Sequence, residues 1–222
     1  MFQRTRRLLL GTLSIMVGTA MVSGPVMASG QRPIAQRTVA AAALDTAVFA
    51  GGCFWGIEGV FEHLKGVSSA TAGYAGGTTM SPSYEDVSSG TTGHAESVQV
   101  IYDPGRISYN QLLQVFFSVA HDPTELNRQG PDVGTQYRSA IFFRTVDQQK
   151  AATSYIADLT ARKVYSHPIV TQVVPLKAFY VAEGYHQHYM ALHPTQPYIV
   201  YNDAPKVEQL KQKFASWYQE AR

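Results

Sequence analysis

Apolar positions change period along this chain, and each change marks an element. The apolar run 46–50 reads as a short strand. From Phe54 the apolar residues fall at Ile57, Val60, Phe61 and Leu64, a helical spacing over 54–65 that Gly66 closes. A second strand is predicted over 67–74, ending at Gly76-Gly77. Residues 78–93, rich in hydroxyls and broken by Gly and Pro, read as a long loop, and 94–102 alternates in strand fashion up to Asp103-Pro104-Gly105. Ser108 and Gln111 form a capping-box pair before a helix over 109–120. A loop over 121–136 leads to a strand over 137–144. A helix near 147–162 then carries Ala152, Tyr155, Ile156 and Leu159 on one face. The remaining pattern gives a strand at 169–174, a short helix at 183–192 and a last helix at 205–218 with a Val207, Leu210, Phe214, Trp217 stripe. Strands and helices alternate without strict βαβ units, which predicts an α+β two-layer sandwich, a mixed β-sheet packed on helices.

The beginning of the sequence has a different character. Arg4, Arg6 and Arg7 precede an uncharged apolar run over 8–21, and Val26-Met27-Ala28 has the small-residue spacing of a signal-peptidase site. The expectation is a signal peptide at 1–28, a Gln-, Arg- and Ala-rich linker at 29–44, and one catalytic domain at 45–222, exported to a bacterial periplasm. An uncleaved leader would instead anchor the protein to the membrane. Lys and Arg number 18 against 16 Asp and Glu, and three of the arginines lie in the leader. The near-neutral remainder, without basic clusters, argues against nucleic acid as a partner. A monomer is expected, since no assembly element is visible.

Candidate chemistry centres on the one cysteine, Cys53, in Gly51-Gly52-Cys53-Phe54-Trp55-Gly56. It falls where a strand gives way to a helix, so unsatisfied N–H groups and the positive end of the helix dipole are expected to favour its thiolate. Period-two counting puts Glu96 on the apolar face of its strand with Val98, Val100 and Tyr102. A buried carboxyl there would be neutral and able to donate a proton. Tyr84, Asp132 and Tyr137 lie in or beside the two long loops. On these residues alone, three readings stay open: a redox cysteine enzyme, a Cys–His hydrolase or acyltransferase using His94, His121 or His186, and a binding module without turnover. His186, His188 and His193 cluster, but not at the spacing of a helical ligand pair, and no metal site is assigned.

The motif Gly51–Gly56 is followed in order by Gly73-Tyr74-Ala75-Gly76-Gly77, Ser83-Tyr84-Glu85, Thr92-Gly93-His94-Ala95-Glu96, Gly134-Thr135-Gln136-Tyr137-Arg138-Ser139, Glu183-Gly184-Tyr185-His186-Gln187 and His193-Pro194-Thr195-Gln196-Pro197-Tyr198. This set resembles the A-type peptide-methionine sulfoxide reductases over roughly 45–217. The resemblance implies a ferredoxin-like core and reduction of the S epimer of methionine sulfoxide, in proteins and as the free amino acid. It makes Cys53 the nucleophile at sulfur and Glu96 the acid at oxygen. Tyr84 and Tyr137 become the hydroxyls that hold that oxygen, Asp132 a carboxylate in the same network, and Phe54 and Trp55 the walls around the methyl group. Many relatives carry a second cysteine, and here Ser88 stands at one position where some have it. The sulfenic acid left on Cys53 is then expected to be recycled by an external thiol, of thioredoxin or of glutaredoxin/glutathione type, with no bound cofactor.

Overall fold

The computed structural model describes residues 43–221, together with 14–16 and 18. The signal peptide and linker assigned to 1–44 otherwise lie outside the described residues. No helix among the described residues is long and apolar enough to cross a membrane.

In chain order the elements are β1 (Asp45–Ala50), α1 (Phe54–Glu62), β2 (Val67–Ala75), α2 (Tyr84–Ser88), β3 (Ala95–Tyr102) and α3 (Tyr109–Val115). They continue with β4 (Arg128–Gln129), β5 (Asp132–Val133), β6 (Ala140–Phe143), α4 (Val146–Ala161), β7 (Gln172–Pro175), β8 (Phe179–Val181), α5 (Tyr189–Leu192) and α6 (Ala204–Lys213). One sheet runs β7-β6-β1-β3-β2-β8. Its inner strands β6-β1-β3-β2 are antiparallel throughout and arise from a βαββαβ path, the ferredoxin-like order. β7 adds in parallel to β6 and β8 antiparallel to β2, so the sheet is mixed, as expected.

Alternation on the strands separates two faces. Ala47, Phe49, Ala72, Val98 and Val100 meet α1, α3, α4 and α6 in the main core. Val48, Ala50, Ala75, Ala95, Ala140 and Phe142 form a smaller cluster, against which Leu176 and Phe179 pack. Phe49 ties the layers together, stacking on Phe61 of α1 at 5.1 Å and on Phe116 at 4.9 Å between centroids. Each such pair adds about 0.5–1.5 kcal/mol beyond the area it buries.

Several predicted boundaries are corrected. α1 stops at Glu62 rather than residue 65, because Leu64 leaves to bridge Tyr218 and the Lys65 N–H donates to the Trp217 carbonyl. The loop at 78–93 contains α2, held by a capping box between Ser83 and Asp86. The loop at 121–136 folds into the β4–β5 hairpin and a 3-10 turn, Thr135–Tyr137, so Tyr137 precedes its strand instead of starting it. The helix expected at 183–192 is two pieces, a 3-10 turn at Gly184–His186 and α5, split by His188 in the left-handed region at φ 55°. α3 and α6 border π-turns at Phe116–Ala120 and Ile199–Asp203, and α6 ends at Lys213.

Candidate active site

β1 leaves the sheet at Ala50, and that departure creates the site. The register that sets Phe49 opposite Val98 brings Glu96, two residues earlier on β3, to the point where β1 gives way to the Gly51-Gly52 turn. Gly52 has φ +99°, and a Cβ there would lie 2.7 Å from Gln129, so the tight turn requires glycine. The turn delivers Cys53 to the N-cap of α1.

Glu96 is buried on the core face of β3, as its alternation predicts. Its Oε2 accepts a hydrogen bond from the Phe54 N–H at 3.0 Å, so the first amide of α1 is directed to the carboxyl and not to the sulfur. Burial is the main cause pushing the Glu96 carboxyl up to about 8, with Asp132 and Asp203 adding to it and the Phe54 N–H opposing it. At neutral pH Glu96 is an uncharged acid.

The expected thiolate is not what this environment favours. Cys53 is only 8% exposed, and burial lifts its thiol well above the usual range, with Glu96, once ionised, and Asp203 next in effect. The Trp55 N–H favours the anion, short of a full cap hydrogen bond, and Lys206 adds a smaller pull the same way. Desolvation outweighs the helix terminus because the terminus supplies only about half a charge, while burial removes the whole hydration of an anion. Cys53 therefore rests as a thiol beside a neutral acid.

The other predicted residues converge on this pair. Tyr84 begins α2, whose position is fixed by Glu183 accepting from the Tyr84 N–H at 2.9 Å. Burial first, then Glu96 once it ionises, raises the Tyr84 and Tyr137 phenols, so both are neutral donors. Asp132, on β5, accepts a hydrogen bond from the Tyr198 hydroxyl. Trp55 stacks on Tyr189 at 3.8 Å, meets the edge of Tyr198, and donates through Nε1 to His186 Nδ1 at 3.1 Å. Phe54 is buried between Tyr74 and His186. A cavity of about 370 Å³ opens onto Cys53, with His121, Asp132, Tyr198, Asn202 and Lys206 in its walls.

Three members of this site escape the sequence pattern: Tyr189, Tyr198 and Asp203. Tyr198 closes a motif of the family resemblance and Tyr189 lies three residues after His186, yet nothing local shows that either meets Trp55.

Hydrogen bonding removes the Cys–His alternative. His94 accepts from the Gly77 N–H and donates to the Thr79 carbonyl, and His121 donates to the Phe116 carbonyl and accepts from Ser139. Burial pushes His121 down to about 4, so it is neutral. His186 is committed at Nδ1 to Trp55, and none of the three bonds to the sulfur. Glu58, Glu62 and His188 could approach one metal ion, but both oxygens of Glu58 already accept from backbone N–H groups of Ala72 and His188.

The sequence profile described as peptide methionine sulfoxide reductase matches residues 45–218. The chain belongs to that family. It is 58% identical to peptide methionine sulfoxide reductase MsrA 2 of Mesorhizobium japonicum over 82% of this chain and 93% of that protein. Among solved structures it resembles reduced Mxr1 of Saccharomyces cerevisiae, with a TM-score of 0.63 and 35% identity over 69% of this chain and 87% of that one. It also resembles methionine sulfoxide reductase A of Corynebacterium diphtheriae, with a TM-score of 0.61 and 35% identity over 69% and 76%. As a member of this family, the protein is an oxidoreductase that reduces methionine sulfoxide.

Proposed function

We propose that Cys53 attacks the sulfur of an S-epimer methionine sulfoxide, free or within a protein, while Glu96 protonates its oxygen. The observation that carries this reading is the sharing of one helix turn by thiol and acid: Cys53 caps α1 and the next amide holds Glu96. A sulfoxide sulfur becomes electrophilic as its oxygen gains a proton, so a neutral acid must be in place before the thiol can act. Glu96 gives its proton to the oxygen and takes the thiol proton in exchange. Attack joins the two sulfurs; the oxygen then moves to Cys53 as that bond and the methionine S–O bond break, leaving sulfenic acid on Cys53 and methionine free. Tyr84 and Tyr137 hold the oxygen as neutral donors. Phe54 and Trp55 form the wall behind the methyl group, with Tyr189 and Tyr198 fixing the Trp55 ring.

Recycling follows from the single cysteine. An external thiol, of thioredoxin or of glutaredoxin/glutathione type, attacks the sulfenic sulfur and releases water. A second thiol then frees Cys53 as a mixed disulfide is exchanged. One turnover of the S epimer without reductant should yield one methionine and one dimedone-reactive sulfenic acid on Cys53, seen by intact mass, with no intramolecular disulfide. Turnover of the R epimer instead, or a protein unreactive to dimedone, overturns the reading.

The arginine-led apolar leader and the Val26-Met27-Ala28 pattern support export, cleavage after Ala28 and work in the periplasm, where we take the protein to be a monomer. Protein recovered from its own cell should begin at Ser29 and have monomer mass in solution. An intact Met1 in the membrane fraction would establish the anchored form instead.

A further inference from the structure

Asp203 is the last residue of the π-turn before α6, a place where an aspartate ordinarily caps the helix. It does not do so here: no backbone N–H of α6 bonds to its side chain. The carboxyl instead turns inward and is fully buried. Its Oδ1 accepts from Lys206 Nζ at 3.1 Å, and its Oδ2 is enclosed without any partner. The pair presses on the first turn of α1. A Cβ on Gly56 would fall 2.1 Å from Asp203 Oδ1 and 2.9 Å from Lys206 Nζ, so only glycine lets the charges come this close. Cys53 caps that same turn, and Lys206 and Cys53 line one cavity.

A buried carboxylate with an unpaired oxygen is costly, because the desolvated oxygen gains no hydrogen bond in return. It fulfils no capping duty that would offset the cost. Its placement behind the nucleophile gives it one. We propose that Asp203 is a positioning residue for Cys53: its carboxylate, paired with Lys206, opposes the positive end of α1 at the sulfur and adds to burial in keeping the resting residue a thiol until substrate arrives.

The charges around the sulfur support this assignment. Glu96 faces it from β3 and is neutral below about 8. His121 is neutral, and Tyr84, Tyr137 and Tyr198 are phenols raised by burial. Asp132 shares the cavity and accepts from the Tyr198 hydroxyl, though it is not among the charges that act most strongly on the sulfur. Among the charges that act on Cys53, Glu96 ranks first once it ionises and Asp203 second, and the Asp203 carboxylate outweighs the Lys206 ammonium. The reason is exposure: Asp203 is dry, whereas the Lys206 side chain is 22% exposed and screened by water. Lys206 in turn pulls the Asp203 carboxyl back down against the lift of burial.

This assignment deepens the reading of Cys53 as the nucleophile, and it is tested without any sulfoxide. Cys53 is the one cysteine, so alkylation by iodoacetamide followed by mass reports its ionisation alone. Asp203→Asn keeps the shape and an acceptor for Lys206 but removes the charge. The midpoint of the alkylation–pH profile should move down, making the variant about threefold to tenfold faster at about pH 8, with an unchanged plateau at high pH. A profile superimposable on the parent overturns the proposal. So does a rise of equal size at every pH, plateau included, because that reports a loosened pocket and not a lost charge. If Asp203→Asn does not fold, Asp203→Ala is read by the same criteria. A failed sulfoxide assay with a shifted alkylation profile would sink the catalytic reading and leave this one standing.

Discussion

Cys53→Ser abolishes reduction of methionine sulfoxide, to the uncatalysed background, while the melting transition stays cooperative and close to that of the parent. The two expectations come from different features of the same residue. Serine replaces sulfur by a smaller oxygen that is a poor nucleophile toward sulfur and cannot carry the transferred oxygen as a sulfenic acid, so the reaction has no first step. The fold is spared because serine keeps nearly the shape of the buried Cys53 side chain, which makes no cap hydrogen bond to lose, and the helix is held by Phe54, Ile57, Val60 and Phe61. Dithiol-dependent turnover of the S epimer, assayed beside a thermal melt, checks both. A folded Cys53→Ser protein that still turns over would remove the sulfur from the mechanism.

Glu96→Gln slows the single-turnover chemical step by about 10²–10⁴, the usual worth of a positioned acid. Glutamine keeps the volume and an oxygen for the Phe54 N–H, so the turn that carries Cys53 stays in place and the loss reports proton donation. The parent carries a pH signature of the same group. With the folded carboxyl raised to about 8, the acid form is complete well below that value and lost above it. The parent's single-turnover rate should fall as pH rises through about 8, and the Gln variant should lack that limb. A variant with the parent's rate, or with an unchanged alkaline limb, would dismiss Glu96 as the donor.

What the sequence makes legible is what depends on local order. Glu96 is placed by period two, since a strand side chain's face follows from its neighbours, and Cys53 is placed by the change of period at Phe54. Depth is not encoded in that way. The sequence shows that Cys53 begins a helix but not that the helix end is roofed over, and burial reverses the ionisation expected of a helix terminus. Tyr189, Tyr198 and Asp203 escape for a related reason: they meet Trp55, Asp132 and Gly56 only through the tertiary fold. β8 escapes because three residues carry too little alternation, and its pairing with β2 spans about a hundred residues of chain. The break at His188 is not announced by a glycine, and histidine adopts the left-handed region too seldom for the sequence alone to place a break there. α2 was within reach, since Ser83 and Asp86 have capping-box spacing inside what otherwise reads as loop.

The departure of β1 at Ala50 has a consequence for substrate range. The acid belongs to a strand hydrogen-bonded to β2 opposite Tyr74, and the sulfur to the cap of a helix seated on that sheet, so both are tied to the stiffest part of the molecule. The tyrosines opposite them sit on short turns, Tyr84 at the start of five-residue α2 and Tyr137 in a three-residue turn. Bulky or awkwardly folded clients therefore meet a reacting centre whose acid and sulfur are both set by the sheet and the helix on it. Oxidised side chains in tight surroundings have to be brought out to the enzyme.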